Sequence, residues 1–112
     1  MSKIAIEPFD WQYKLNQLST ALEKKVTNVE VTGLSFGDEL ANREMRLMTL
    51  AYDNDNDILE ILFDRSNHLI ESPLMICFQQ HQSKIESIEI YDDNDNKNII
   101  LFNDPFSLYN HD

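Results

Sequence analysis

Apolar residues first recur with a helical period, between Pro8 and Lys25. Four large apolar residues stand at positions i, i+4, i+7 and i+11, which places them along one stripe of a helix. These residues are Trp11, Leu15, Leu18 and Leu22. Pro8 suits the first turn of a helix, and Lys24 with Lys25 suits the negative C-terminal end. The pattern predicts an amphipathic helix that buries this stripe.

After Lys25 the apolar period changes from helical to alternating, which is typical of half-buried strands. Alternating or short continuous apolar runs predict strands at 27–32, 40–52, 58–63, 68–70, 74–78, 85–91 and 98–102. Within the second run the apolar face shifts by one residue near Leu47 and Met48. Because one extra residue changes which side points inward, this shift predicts a β-bulge or bend.

Two runs rich in Asp and Asn, Asp53–Asp57 and Asp92–Asn96, separate predicted strands. Asp and Asn accept left-handed backbone angles, so these runs predict hairpin turns. Short connections make neighbouring strands antiparallel, since a parallel crossover needs about a dozen residues or more. We therefore expect an α+β, two-layer domain: one N-terminal amphipathic helix packed on an antiparallel sheet of about six strands. Residues 1–103 are predicted to form this domain and 104–112 a C-terminal tail.

Charge and composition reduce the number of functional classes to be considered. The 112 residues contain 9 Lys+Arg and 20 Asp+Glu, a formal net charge of -11, of which -8 falls in residues 57–112. Direct nucleic-acid binding is disfavoured because its affinity comes mostly from Lys and Arg on phosphates. A single cysteine excludes an intrachain disulfide framework and fits a reducing compartment. With no long apolar segment, we expect a cytoplasmic protein that does not bind membranes.

The residues that carry common enzyme chemistry have ordinary structural explanations. Cys77 lies in the apolar run 74–78, where a free cysteine acts as a small hydrophobe. Two glycines are too few for a phosphate-binding loop. With 20 acids, pairs of carboxylates arise by coincidence on solvated strand faces. We therefore expect no enzymatic activity, no catalytic residue and no cofactor.

Metal-binding patterns are incomplete. His68, His81 and His111 have neither the strand nor the helix spacing of a metal set. The run Asp53–Asp57 resembles the start of an EF-hand loop, but Ile58 stands where the sharp turn needs glycine. We expect no dedicated metal site, and leave open weak calcium binding by the two Asx turns.

Short motifs follow one another in a definite order from about Ile6 to Phe102. They are Pro8 with Trp11, Glu30-Val31-x-Gly33, Arg43-Glu44-Met45-x-Leu47, Ile61 to Asp64, His68-Leu69 with Pro73, Ile88-Glu89-Ile90, and Ile100-Leu101-Phe102. In this order the chain resembles a small bacterial domain-of-unknown-function family, family 5335. The resemblance implies the fold of one helix and a sheet, and it implies no activity. Family members commonly carry a second histidine where this chain has Glu71.

The leading functional hypothesis is a protein–protein binding or regulatory module. Its proposed anchor is the tail, in which Phe106, Leu108 and Tyr109 are expected to be exposed. An edge strand at Thr27–Val31 offers a route to a homodimer.

Two alternatives come from other classes. One is a DNA mimic that inhibits a protein with a basic surface. The acids that would carry it are Glu86, Glu89, Asp92, Asp93 and Asp95. The other alternative is a small-ligand pocket between helix and sheet, near Trp11, Arg43 and His68.

Overall fold

The computed structural model describes residues 2–24, 26–36 and 43–107. In chain order the elements are β1 (Ser2–Ile6), a 3₁₀ turn (Pro8–Asp10), α1 (Trp11–Leu22), β2 (Asn28–Thr32), a second 3₁₀ turn (Leu34–Phe36), β3 (Arg43–Asp53), β4 (Ile58–Phe63), β5 (Asn67–Glu71), β6 (Pro73–His81), β7 (Lys84–Asp92) and β8 (Lys97–Ser107).

Within the described residues the strands form one antiparallel sheet, in the order β1-β6-β7-β8-β2-β3-β4-β5. The α+β class is confirmed, but the described part of the chain forms a sheet of eight strands, whereas about six were expected. The strand that the apolar pattern misses is β1, whose residues are largely exposed. It forms because β6 offers a partner in register along its whole length.

The amphipathic helix is confirmed, although it begins after a 3₁₀ turn and ends at Leu22. The whole predicted stripe is buried against the sheet, chiefly against β3. The Trp11 indole N–H donates a hydrogen bond of 2.9 Å to the Ile6 carbonyl, which ties the start of the helix to β1. In the part of the chain that the structure describes, no helix has the length and apolarity to cross a membrane.

The predicted irregularity in β3 is confirmed, between Leu47 and Thr49. It marks the place where β3 loses its strand neighbour on one side, because β2 pairs with β3 only as far as Arg46. After this irregularity, α1 lies beside β3 in the place of β2. The Ser19 hydroxyl donates to the Leu50 carbonyl at 2.6 Å and accepts from the Leu50 N–H at 2.9 Å.

Two predictions about interaction surfaces are wrong in this architecture. β2 lies between β8 and β3, so the segment Thr27–Val31 is central in the sheet, and the edges are β1 and β5. Phe106 is 1% exposed, because β8 continues to Ser107 and places Phe106 opposite Ile85.

The residues 104–107 therefore belong to the sheet and do not form a tail. Pro105 is accommodated because the β7–β8 register is irregular there, and proline is tolerated in strands at bulges. The Phe106 ring stacks on Phe102 at 5.5 Å between centroids, which closes that end of the core. Leu108 and Tyr109, the other expected anchors, lie outside the described residues.

Candidate protein-binding surface

Glu89, one of the acids expected on a partner-facing surface, is used inside the molecule. Its side chain is largely covered, and Oε1 lies 2.9 Å from the Lys3 ammonium and 3.4 Å from that of Lys97. The Tyr91 hydroxyl donates to the same oxygen at 2.9 Å. Burial raises the pKa of Glu89, but the contacts with Lys3, Tyr91 and Lys97 outweigh it, and the pKa lies below its usual value. The charge of Glu89 is therefore neutralised locally.

Asp92 is also internal, at 5% exposure. Its carboxylate accepts hydrogen bonds from the backbone N–H groups of Asn94 and Asn96, from the Asn96 amide and from the Ser35 hydroxyl. Burial acts to raise the pKa of Asp92, and these hydrogen bonds lower it further than burial raises it. Asp92 closes the β7–β8 turn and holds the Leu34–Phe36 turn against it.

The remaining three acids of that set do not form one face either. Asp93 and Asp95 are exposed at the tip of the hairpin. Glu86 lies where the register of β7 shifts against both neighbouring strands, and its Oε1 is buried without a hydrogen-bond partner. The structure thus distributes the five acids over an ion-paired site, a turn and a bulge.

Two of the residues expected around a small-ligand pocket, Trp11 and His68, pack against different aromatic partners. Trp11 is buried and meets the Tyr52 ring edge-to-face at 5.1 Å between centroids. The His68 ring lies 5.7 Å from Phe36 and 6.1 Å from Phe63, and burial lowers the pKa of His68. The side chain of Arg43 lies outside the described residues. Trp11 and His68 therefore belong to two different aromatic groups.

Among the described residues, a groove beside α1 and a groove on β3–β5 meet at Ala51 and Tyr52. The helix groove, of about 490 Å³, lies between α1 and β3 and is lined by Gln12, Tyr13, Asn16, Leu50, Ala51 and Tyr52. The β3–β5 groove, of about 310 Å³, is lined by Ala51, Tyr52, Asp53, Ile58, Glu60 and Leu69. Neither is lined by a residue expected for the tail anchor, the DNA mimic or the small-ligand pocket.

The β3–β5 groove mixes apolar and acidic side chains because of strand register. Ala51, Glu60 and Leu69 are direct cross-strand neighbours on β3, β4 and β5. The next row on the same face is Asp53, Ile58 and Glu71. Leu69 is 54% exposed, so the groove presents a large apolar side chain to solvent between carboxylates.

The turn beside this groove is ordered by its own hydrogen bonds. The Asp53 carboxylate accepts from the backbone N–H groups of Asp55 and Asn56 and from the Asn56 amide. These bonds lower the pKa of Asp53, with the Asn56 contacts as the main cause. The Tyr52 hydroxyl donates to Asp57 at 2.6 Å, and this bond raises the pKa of Tyr52 to about 12. The predicted hairpin turn is confirmed, and it holds three carboxylates at one end of the groove.

The surroundings of the groove are strongly acidic. Residues 50–71 carry six carboxylates and one arginine, a net charge of −5. The ion pairs found among the described residues both involve Glu89, so none of these six acids has a lysine or arginine partner there. A sequence signal for this surface existed in the runs Ile61-Leu62-Phe63 and Leu69-Ile70, which place apolar side chains on both faces of the sheet.

Comparisons with known proteins identify the family of the chain. The profile of a family of unknown function, DUF5335, matches residues 2–111. The chain belongs to this family. A relative from Aquifex aeolicus (strain VF5), an uncharacterized protein, is 31% identical to this DUF5335 chain over 93 residues, which cover 82% of this chain and 84% of the relative. No solved structure matches this DUF5335 chain. The resemblance seen in the motif order is confirmed, and family membership assigns no activity.

Proposed function

We propose that this DUF5335 chain is a non-enzymatic protein-binding module whose contact surface is the β3–β5 groove. Its partner is a protein segment that combines apolar with basic side chains. The observation that carries the proposal is an exposed apolar floor within an acidic rim, both on the same three strands.

The apolar part of the argument rests on Leu69 and its neighbours. An exposed apolar patch rimmed by polar groups is typical of an interaction site. Leu62, on the same face of β4, is also exposed, so the apolar surface extends beyond the groove itself. Burying a leucine side chain fully contributes about 1.5–3 kcal/mol, enough for one anchor of a contact.

The electrostatic part of the argument retains from the DNA-mimic hypothesis an acidic surface that attracts a basic partner, but locates it around the β3–β5 groove. A surface with a single sign of charge attracts an oppositely charged partner and speeds association. Because Glu89 and Asp92 are engaged internally, only Asp93 and Asp95 remain exposed at the β7–β8 hairpin, whereas the six carboxylates of residues 50–71 surround the β3–β5 groove. Basic side chains in the partner would meet Asp53, Glu60 and Glu71 there.

A displayed library of random peptides tests the proposal without knowledge of the natural partner. We expect the selected peptides to be enriched in lysine or arginine together with large apolar residues, and to bind less well as salt rises. The substitution Leu69→Asp should weaken their binding by about tenfold or more. Leu74→Asp is the matched control, since Leu74 is 63% exposed but lies on β6, and should leave binding unchanged.

Three outcomes would overturn the proposal. They are the absence of selected peptides, selected peptides without basic residues, and equal binding to the Leu69→Asp and unsubstituted proteins. Binding lost equally in both aspartate variants also counts against the groove, because it shows an effect of added charge alone.

A second candidate function is small-ligand binding in the helix groove. It is favoured because this groove lies between helix and sheet, and because Tyr52 both lines it and touches Trp11 at 5.1 Å between ring centroids. A ligand there should change the fluorescence of Trp11, the sole tryptophan. An unchanged spectrum across a broad metabolite screen would exclude this candidate.

A further inference from the structure

The alternating direction of backbone hydrogen bonds along the strands, traced from β3, shows which backbone groups of β5 point away from the sheet. Leu50 directs its N–H and C=O to Ser19 on α1, so these groups point away from β4. In an antiparallel pair the residues alternate between the two sides. The β3 residues that bond to β4 are therefore Thr49, Ala51 and Asp53, opposite Leu62, Glu60 and Ile58.

The same alternation continues to β5. Leu59 and Ile61 of β4 must direct their backbone groups to β5, where they meet Ile70 and His68. Hydrogen bonds at both ends of the β4–β5 pair agree with this alternation. The Phe63 N–H donates to the Ser66 carbonyl at 2.8 Å, and the Ser72 N–H donates to the Asp57 carbonyl at 2.9 Å.

The backbone N–H and C=O groups of Asn67, Leu69 and Glu71 consequently point outward from the sheet. β5 is the last strand, and no strand in the described part of the chain pairs with its outer side. Unpaired groups on an edge strand are a ready template for another extended chain. Leu69 combines both features, because its side chain lines the β3–β5 groove while its backbone faces the free edge.

We propose that the partner segment binds in extended conformation along β5 as a ninth strand. This inference rests on the proposed function and specifies its geometry. Strand addition uses main-chain hydrogen bonds for affinity and alternate side chains for specificity. An apolar side chain of the segment packs beside Leu69, and a basic side chain two residues away pairs with Glu71.

The charge around β5 determines which kind of segment can pair with this edge. Side chains directly opposite each other on neighbouring strands repel when their charges are alike. A second copy pairing through its own β5 would bring two sets of these acids together, whereas a basic segment meets complementary charge. The other edge, β1, lacks this complement because its Lys3 is already paired with Glu89.

The test uses a capped peptide of sequence Thr-Lys-Thr-Val-Thr-Lys-Thr, which reads alike in both directions and so suits either strand orientation. On adding it to the full chain, we expect amide hydrogen exchange to slow by about tenfold or more at Leu69 and Glu71. His68 and Ile70, whose backbone groups already face β4, should change far less. In antiparallel addition, methylating the valine nitrogen of the peptide should abolish binding, while methylating the nitrogen of a threonine beside it should be tolerated. Parallel addition reverses these two results, because its slanted hydrogen bonds run to the neighbours of the residue opposite Leu69. Equal effects of the two methylations contradict strand addition.

The outcomes separate this inference from the proposed function. Binding that is sensitive to Leu69→Asp but leaves Leu69 and Glu71 unprotected overturns strand addition and keeps the groove as a docking surface. Failure of this peptide while library peptides still depend on Leu69 has the same meaning. If no peptide depends on Leu69, both fail. Self-association of the chain that this peptide does not displace would assign the edge to a second copy and contradict the inference.

Discussion

At the residue scale, Gly33 occupies a backbone position that has no room for a side chain. Its φ is +145°, and a Cβ built there would lie 2.7 Å from Asn98 Oδ1 and 2.9 Å from Asn98 Cα. Asn98 is fully buried and is held by hydrogen bonds with Ser35 N–H and the Ile90 carbonyl. Asn98 therefore has little freedom to move away from a new methyl group.

We expect Gly33→Ala to lower the free energy of unfolding by about 2–4 kcal/mol, from backbone strain and the close contact with Asn98. Urea denaturation measures this difference. Thr32→Ala, at the exposed neighbouring position, serves as the control and should cost less than about 1 kcal/mol. Equal effects of the two substitutions would show that Gly33 is not sterically required.

The lowered pKa of Asp92 leads to a prediction about how the stability of the fold depends on pH. Because its pKa is lower in the folded than in the unfolded chain, its carboxylate stabilises the fold above its ordinary pKa of 3.8, and this stabilisation is lost as pH falls through the folded-state value. At pH 7 we expect Asp92→Asn to cost about 1–3 kcal/mol, since the amide replaces a carboxylate that accepts several hydrogen bonds. This cost should shrink in denaturation series carried below about pH 4.

The neighbouring acid provides the control for that series. Asp93 is exposed on the same turn, so Asp93→Asn should change the stability by less than about 0.5 kcal/mol at every pH. A cost of Asp92→Asn that stays constant down to pH 2 would contradict the assignment of Asp92 as the charged centre of the turn.

At the element scale, the contact between α1 and β3 depends on one hydroxyl. Ser19 pairs with both backbone groups of Leu50 at the place where β2 no longer accompanies β3. Removing the hydroxyl leaves a donor and an acceptor of β3 without their protein partner. This geometry also sets the phase of hydrogen bonding that leaves the outer groups of β5 free.

We expect Ser19→Ala to destabilise the fold by about 1–2 kcal/mol, the cost of two lost hydrogen bonds at a partly buried position. Thr20→Ala is the control, because the Thr20 hydroxyl bonds only to the Asn16 carbonyl of its own helix. Thermal unfolding compares the two variants. A smaller loss for Ser19→Ala than for Thr20→Ala would show that packing of the apolar stripe alone holds α1 in place.

At the scale of the whole molecule, the net charge of -11 acts against the compact state. The ion pairs within the described residues are confined to Lys3 and Lys97 with Glu89, so repulsion among the other acids outweighs attraction. Added salt screens this repulsion over a Debye length of about 10 Å at 0.1 M.

We therefore expect sodium chloride, raised from about 0.01 M to about 0.3 M, to increase the free energy of unfolding by roughly 1 kcal/mol. Urea denaturation at a series of salt concentrations measures this. A decrease with salt would mean that attractive ion pairs dominate, and the charge around the β3–β5 groove would then be balanced by positive side chains elsewhere.

Much of the fold was predictable because its signals are local. The stripe from Trp11 to Leu22 repeats with the period of a helix, and the run from Val29 onward repeats with the period of a strand. The Asx-rich turns and the irregularity near Leu47 depend on a few adjacent residues. β1 escaped prediction because it is short and largely exposed, and only the edge of β6 makes it a strand.

The candidate site was not predictable in the same way. Glu89 and Asp92 look like surface acids in the sequence, and only strand pairing brings Lys3 to one and the turn containing Ser35 to the other. Phe106 looks like an exposed anchor after Pro105, yet strand pairing places it opposite Ile85, where it is buried. Each of these outcomes depends on residues that are far apart in the chain.

The sequence by itself determined the helix, the antiparallel hairpins and the acidic balance, because each depends on short-range periodicity, turn chemistry or composition. Only the tertiary structure decided which carboxylates are neutralised, which strands form the edges and where Leu69 meets solvent among acids. The physical reason is that strand order is set by packing between distant elements. A pattern with period 2 specifies which side chains share a face, but not which strand comes next.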